Sequence, residues 1–434
     1  MKLVFRDQLF SFEMLRTMGH TAYGGADIGE CLATAYQIKD SDAESWYVEW
    51  RKIADRVRAS ADESRSGGHT VSPREAYLRA ANYYRTAAVF LPVNPNDPRI
   101  GATWERSRAC FGAAAQLFSP PFEAVEIPYE GTTLPGYFYR VDERGAARPT
   151  VIVHGGLGAT HEELYFAGVA GALRRGYNCL AFEGPGQGRV LRQQRLPMRP
   201  DWERVITPVV DYALTRSEIA PCRMILMGFD LGGYLAARAA AFEGRLAACL
   251  IVHGLFDVYE WMMTQMPRLL RGHNAQADHP IVDMAIQALM RFDSTRRWKF
   301  THGIWACRAS SLQAWLRLIG NYTLAGVAGK ITCPTLILDS ERDHRLHGQA
   351  WKVYKALSCP KTYLRFMAEE GAGVHCPVGG SVVCDQRIFD WLDETLKYRV
   401  WQPSSRRTSS ENRSQAHMSM DVDEAPRLYP RSVA

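Results

Sequence analysis

The run Arg223 to Gly228 (RMILMG) ends in Gly228-Phe229-Asp230-Leu231-Gly232-Gly233 and passes straight into a small-residue helix containing Leu235, Ala236, Ala237, Ala239 and Ala240. Few folds accept that order of an apolar strand, a glycine-flanked turn and a helix. Glycines two residues before and two after position 230 permit the sharp strand-to-helix turn that lifts a central side chain out of a sheet. The side chain so aimed is Asp230.

The rest of the chain supplies a sheet for that turn. Pro149 to His154, Asn178 to Phe182, Ala247 to Val252, Pro334 to Asp339 and Lys361 to Phe366 read as further strands. Several are apolar throughout, as strands covered on both faces must be. Helical periods fall between them at about Glu162 to Arg175, Asp201 to Ser217, Gly233 to Glu243, Gly348 to Leu357 and Asp385 to Leu396. Strand and helix in alternation predict an α/β fold with a mostly parallel sheet and right-handed crossovers.

Two segments depart from the alternation. Residues 1–120 read as a helical N-terminal region: Trp46, Trp50, Ile53 and Val57 recur at helical steps, and Ser72-Pro73-Arg74-Glu75 has the form of a capping box. Ala76, Tyr77, Ala80, Ala81, Tyr84 and Ala88 would form the buried stripe of that second helix. Residues 256–325, rich in Trp, Met, Leu and Arg, read as a helical cap inserted between the sheet-forming stretches 121–255 and 326–398. The cap aromatics Trp261, Trp305, Trp315 and Tyr322 are expected in its core, some of them facing an apolar pocket. Residues 399–434 are too polar to bury much and are expected to be a disordered tail.

Composition narrows the class of protein. With 47% hydrophobic and 23% charged residues a sizeable core is available, and a net charge of +6 with no run of five or six Lys/Arg argues against a nucleic-acid partner. No stretch of apolar residues is long enough to span a membrane, and no secretory segment can be drawn at Met1 to Glu13. Ten cysteines without a C-x-x-C pair suit a reducing compartment, so a cytoplasmic location is expected. No His/Asp/Glu cluster has metal-ligand spacing and no dinucleotide fingerprint survives, so neither metal nor cofactor is expected. The oligomeric state is open, a homodimer included.

Three pieces around Asp230 complete a candidate site. His154-Gly155-Gly156 ends an earlier strand, where the Gly155 and Gly156 N–H groups can join that of Leu231 in an oxyanion hole. Asp343 follows the Pro334 to Asp339 strand, with Asp339 as its rival for the acid position, and His375 follows Lys361 to Phe366. Nucleophile, acid, histidine is the chain order of α/β-hydrolases. Glu183 to Gly188 (EGPGQG) reads as a tight loop at the pocket floor, Cys376 as packing, and His154 as either a brace for the oxyanion loop or core.

Together, HGGLG (His154 to Gly158), FEGPGQGR (Phe182 to Arg189), GFDLGG, SERDHRLHG (Ser340 to Gly348) and EEGAGVHC (Glu369 to Cys376) resemble the α/β-hydrolases of fungal secondary metabolism. The N-terminal YGGADIGE (Tyr23 to Glu30) and REAYLRAANYYRTA (Arg74 to Ala87) extend the likeness over roughly residues 1 to 398. More narrowly, the chain is similar to the hydrolase-like proteins of fusarin and cytochalasan (mycotoxin) gene clusters. That resemblance implies action on a released polyketide–amino acid hybrid, assisting closure of a pyrrolidone or pyrrolone ring. Asp230 departs from the more widespread serine elbow. A carboxylate attacking a carbonyl gives a labile anhydride, so Asp230 and His375 suit attack on an alkyl carbon or deprotonation of a carbon flanked by carbonyls. The alternatives are hydrolysis of an ester, thioester, epoxide or C–C bond in a polyketide, and a non-catalytic binding or scaffold protein.

Overall fold

The computed structural model describes residues 3–264, 280–292, 294–343 and 346–398. The expected tail, 399–434, and residues 265–279 and 293 of the expected cap lie outside the described residues.

Five helices open the chain: α1 (Gln8–Gly19), α2 (Ile28–Ala35), α3 (Ala43–Ser66), α4 (Val71–Ala88) and α5 (Pro98–Ala115). Four start on an aspartate, Asp7, Asp27, Asp42 or Asp97, whose carboxylate accepts first-turn N–H groups that have no helical partner. The start of α4 differs from the sequence expectation. It begins at Val71 behind Thr70, with no side-chain cap, so Ser72 and Glu75 lie inside the helix and form no capping box. Its buried face is also wider than the expected stripe, adding Leu78, Asn82, Tyr83, Thr86 and Ala87, while Ala88 is only half-buried. Neighbours on several sides explain this: Trp46 of α3 donates its indole N–H to the Thr86 carbonyl at 2.8 Å, and Ser107 of α5 donates to the Ala81 carbonyl at 2.7 Å.

The eight strands are β1 (Glu123–Tyr129), β2 (Thr132–Tyr139), β3 (Arg148–His154), β4 (Asn178–Phe182), β5 (Ile219–Phe229), β6 (Ala248–Val252), β7 (Thr335–Ser340) and β8 (Lys361–Phe366). They form one sheet in the order β1-β2-β4-β3-β5-β6-β7-β8, parallel from β4 to β8, with the antiparallel pair β1-β2 on one edge. The hairpin β1-β2 is an addition to the sequence reading. Its turn is Glu130-Gly131, both at positive φ (36° and 78°), as tight hairpins require.

The sheet is wrapped by α6 (His161–Leu164), α7 (Ala170–Leu173), α8 (Glu203–Leu214), α9 (Leu231–Ala240), α14 (Gln349–Ala356) and α15 (Ser381–Leu396). Between β6 and β7 lie α10 (Val258–Thr264), α11 (Pro280–Phe292), α12 (Ser294–Ala306) and α13 (Leu312–Ile319). Among the described residues no helix is long and apolar enough to cross a membrane, and all ten cysteines are free thiols.

Topology locates the site. The parallel part of the sheet starts at β3 and winds outward both ways, to β4 on one side and β5 on the other, so the carboxyl ends of β3 and β5 flank a crevice where ligands of open α/β sheets bind. His154 pairs with Gly228 across that boundary, which sets the His154-Gly155-Gly156 loop beside the turn at Asp230.

Candidate active site

Asp230 stands between β5 and α9 at φ 58° and ψ −122°, a conformation costly for a residue with a Cβ and held by the Asp230 N–H to Val252 carbonyl bond (2.9 Å). The flanking glycines are required by contact. A Cβ on Gly228 would lie 2.0 Å from the Gly232 carbonyl oxygen, and one on Gly232 would lie 2.7 Å from the Gly155 carbonyl carbon.

The separate sequence pieces meet here. His375 Nε2 lies 3.3 Å from Asp230 Oδ1, and His375 Nδ1 lies 2.8 Å from Asp343 Oδ2. Asp343 Oδ1 also accepts the Leu346 N–H at 3.0 Å. Asp339, the rival acid, turns to Tyr363 (2.5 Å) and Arg365 (3.8 Å), so Asp343 is the carboxylate on the imidazole.

Electrostatics follow from burial between charges. Desolvation alone would lower the His375 pKa, but Asp343, Cys376 and Asp230 overcome it and raise the pKa above its ordinary value, favouring the protonated ring. Burial pushes the Asp343 carboxyl up, yet the His375 charge and hydrogen bond and the Leu346 N–H hold it well below the usual carboxylate range. The Asp230 side chain is 41% exposed, which leaves it open to a ligand.

Gly155 and Gly156 lie against the elbow: a Cβ on Gly156 would come within 2.9 Å of both the Leu231 and the Gly232 nitrogens. Leu231 opens α9, so its N–H has no acceptor one turn earlier within the helix. The EGPGQG loop braces this region, since Gln187 accepts from the Gly184 N–H (2.9 Å) and donates to the Gly155 carbonyl (2.6 Å). His154 is fully buried, with Nδ1 3.2 Å from the Gly155 oxygen and burial lowering its pKa to about 4.

Sequence reasoning missed several neighbours. His253 ends β6 at φ 60°, is buried, and donates from Nε2 to Ser340 Oγ (2.8 Å), whose own proton goes to the Ala372 carbonyl. Its ring meets that of His375 edge-on at 5.5 Å. The sequence signal is Val252-His253-Gly254, a strand end shaped like His154-Gly155. Helix α1 reaches the site with Phe12, Glu13 and Arg16, a contribution no local motif announces. Arg16 grips Glu163 through two bonds of 2.6 Å, and Arg85 lies 3.5 Å from the same carboxylate. Burial opposes ionisation of Glu163, but Arg16 and Arg85 bring its pKa to about 2.

Two chambers meet at Asp230. One, about 1030 Å³, runs past Arg16, Glu163, His375 and Cys376 to Asp385. The other, about 860 Å³, lies under the inserted helices and is apolar, with Trp261, Met262, Trp315, Ile319 and Tyr322 in its wall. The cap aromatics therefore divide as expected: Trp315 and Tyr322 are core that also faces the chamber, while Trp305 packs elsewhere.

Asp385 closes the polar chamber. Burial raises its pKa to about 7, against opposing effects of the Tyr23 hydroxyl hydrogen bond, Arg175 and Arg174. The folded state therefore holds a proton that the unfolded chain has released above pH 3.8, so this group's contribution to stability falls as pH rises from about 4 to 7 and is level above. In Asp385→Asn that slope is expected to vanish. Thermal midpoints of both proteins at about pH 5 and pH 8 check it: the wild type should lose more stability than the variant between them.

Among the described residues His161, Glu162 and Glu183 form a group that could hold a metal ion, which the sequence did not announce because Glu183 joins from the end of β4. Their charges already satisfy one another. His161 lies 3.2 Å from Glu162 and 3.3 Å from Glu183, and although burial opposes it these carboxylates raise the imidazole to about 10.

A sheet of this order, with a histidine between two carboxylates at the turn after β5, has the arrangement of an α/β-hydrolase. The profile of the alpha/beta hydrolase family matches residues 150–381, and the chain belongs to that family. Within it the chain is 35% identical to 20-hydroxy-prefusarin hydrolase FUS2 of Gibberella moniliformis, over 91% of this chain and 98% of that one. It is 34% identical to alpha/beta hydrolase psoB of Aspergillus fumigatus, over 90% and 94%. These relatives place it among the fungal secondary-metabolite α/β-hydrolases. The fold is shared with the crystal structure of 2,6-dihydroxy-pseudo-oxynicotine hydrolase: TM-score 0.69 and 23% identity, over 91% of this chain and all of that one.

Proposed function

We propose that this enzyme acts on a released polyketide–amino acid chain and assists closure of its pyrrolidone or pyrrolone ring, with Asp230 as base and His375 as acid. The observation that carries the reading is the geometry at the elbow: His375 lies between two carboxylates, 2.8 Å from the buried Asp343 and 3.3 Å from Asp230, which is exposed where a serine would stand. A serine-type relay needs the histidine to take the nucleophile's proton, whereas here an exposed carboxylate occupies the nucleophile's place and can itself take a proton from the substrate.

In the proposed sequence Asp230 removes a proton from a carbon flanked by carbonyls, and the Gly155, Gly156 and Leu231 N–H groups stabilise the enolate oxygen. The enolate carbon then attacks a carbonyl elsewhere in the same chain. The alkoxide formed takes the His375 proton, and the proton on Asp230 returns to the imidazole. Loss of one water afterwards gives the unsaturated ring. Holding the folded chain with its ends together supplies up to about 7–11 kcal/mol of the barrier reduction. The apolar chamber suits the polyketide part and the polar chamber the amino-acid end. The printed name of the FUS2 relative, a hydrolase of 20-hydroxy-prefusarin, supports a substrate of this class.

A second reading, favoured by a carboxylate on the elbow, is covalent attack by Asp230 on an alkyl carbon such as an epoxide, followed by hydrolysis. Incubating the purified protein with the linear released chain separates the two by mass. Ring closure yields a product of unchanged mass or lighter by one water; hydrolysis yields a product heavier by one water and overturns the ring-closing reading.

A further inference from the structure

Beside the catalytic chamber lies a third cavity, between α4, α5, α12 and the loop after β3, and it contains polar groups that no described residue satisfies. Arg192 follows the EGPGQG loop, and its guanidinium lies 5.6 Å from the ring centres of both Trp104 and Trp305. Among the described residues nothing hydrogen-bonds to or ion-pairs with it, and its Nε is buried without a partner. His302, 6% exposed, has no hydrogen bond at either ring nitrogen, and the Trp104 indole N–H, on a side chain 5% exposed, is also unpaired. All three residues line the same cavity. Buried polar groups without partners each cost on the order of 1–3 kcal/mol, and three residues that carry such groups line this one space.

We propose that this cavity binds a planar oxygen acceptor carrying at most one negative charge, a carboxylate or an enolised 1,3-dicarbonyl, at the polar end of the substrate. Charge sets the limit. Arg16 and Arg85 are matched by Glu13 and Glu163, and Glu162 and Glu183 balance His161 and Arg192, so no positive excess remains to hold a phosphate dianion. Shape sets the class, since a guanidinium fork held against two indoles presents its donors in one plane. Leu157, Arg16 and Trp298 border both this cavity and the chamber holding Asp230, so a head bound at Arg192 leaves its chain beside the elbow. Trp298 fixes that shared wall by donating to the Val89 carbonyl at 2.7 Å. The inference rests on the ring-closing reading only for the part of the substrate it assigns, and it is tested without turnover, so the two can fail separately.

The test is tryptophan fluorescence titration of the full chain with octanoate, 1-octanol and acetate. Wild type is expected to bind octanoate at least about tenfold more tightly than octanol. Acetate should bind far more weakly than octanoate, because a substrate head needs its chain. Arg192→Met should lose the octanoate preference and keep octanol binding. His302→Phe, which keeps the volume and removes both nitrogens, should weaken octanoate selectively and serves if Arg192→Met does not fold. Equal binding of octanoate and octanol by wild type, a preference that survives Arg192→Met and His302→Phe, or acetate binding as tight as octanoate would each overturn the proposal.

Discussion

Asp230→Asn is expected to lower kcat for conversion of the linear chain by about 10³-fold or more, with KM little changed and the unfolding midpoint preserved. Asn has nearly the shape of Asp, keeps the backbone bond from position 230 to the Val252 carbonyl, and removes only the charge. A companion variant probes the oxyanion hole independently. Asp230→Ser restores the Gly-x-Ser-x-Gly pattern, removes one of the carboxylates that raises the His375 pKa, and leaves Asp343 in place. It should gain slow hydrolysis of activated esters, with one acyl group per chain carried on the introduced hydroxyl. Measuring both on the same preparation separates loss of the base from loss of the site: an Asp230→Asn protein with near wild-type kcat would remove Asp230 from the chemistry. Failure of Asp230→Ser to acylate would remove the oxyanion role from Gly155, Gly156 and Leu231.

Asp343→Asn should cost about 10³-fold in kcat and also move the pH profile. In the wild type the imidazolium survives through pH 6.5, where an ordinary histidine titrates, because its folded pKa is raised, and activity that needs that proton is lost only as pH rises through the raised value. Without the Asp343 charge a main stabiliser of the protonated ring is gone, and the histidine releases its proton at lower pH than in the wild type. The basic limb of kcat/KM should therefore shift down in the variant, while a merely structural Asp343 would reduce the amount of folded protein and leave the limb where it was.

Local signals carried the core of the fold and half of the site. The runs that became β3 to β7 were readable because strands buried on both faces need near-continuous apolar sequence, and Gly228, Gly232 and Gly156 because backbone approaches of 2–3 Å admit no Cβ; β8, a half-buried edge strand, was readable only from its short run between turns. Asp230, Asp343 and His375 were found through the order of motifs along the chain, and the distances among them agree with that order. The hairpin β1-β2 was missed because its first strand alternates, with Glu123, Ala124, Glu126 and Pro128 exposed, and its Glu-Gly turn is a weak hairpin signal. The α4 capping box failed because a local pattern lost to tertiary packing, which buries that helix on several sides.

What stayed out of reach depends on contacts between distant segments. Arg16 acquires meaning only when α1 lands on Glu163, 147 residues away. Arg192 looks like one more surface arginine in sequence, and only its two indole neighbours and missing partners single it out. Asp385 sits on the buried face of α15, where an amphipathic pattern gives no hint that a carboxyl meets the Tyr23 hydroxyl.

The central claim is that the Asp230 carboxylate drives ring closure, and its most direct test is the metabolite profile of the producing host carrying Asp230→Asn. The account predicts accumulation of the released, uncyclised chain and loss of the ring-closed product. An unchanged profile would contradict it.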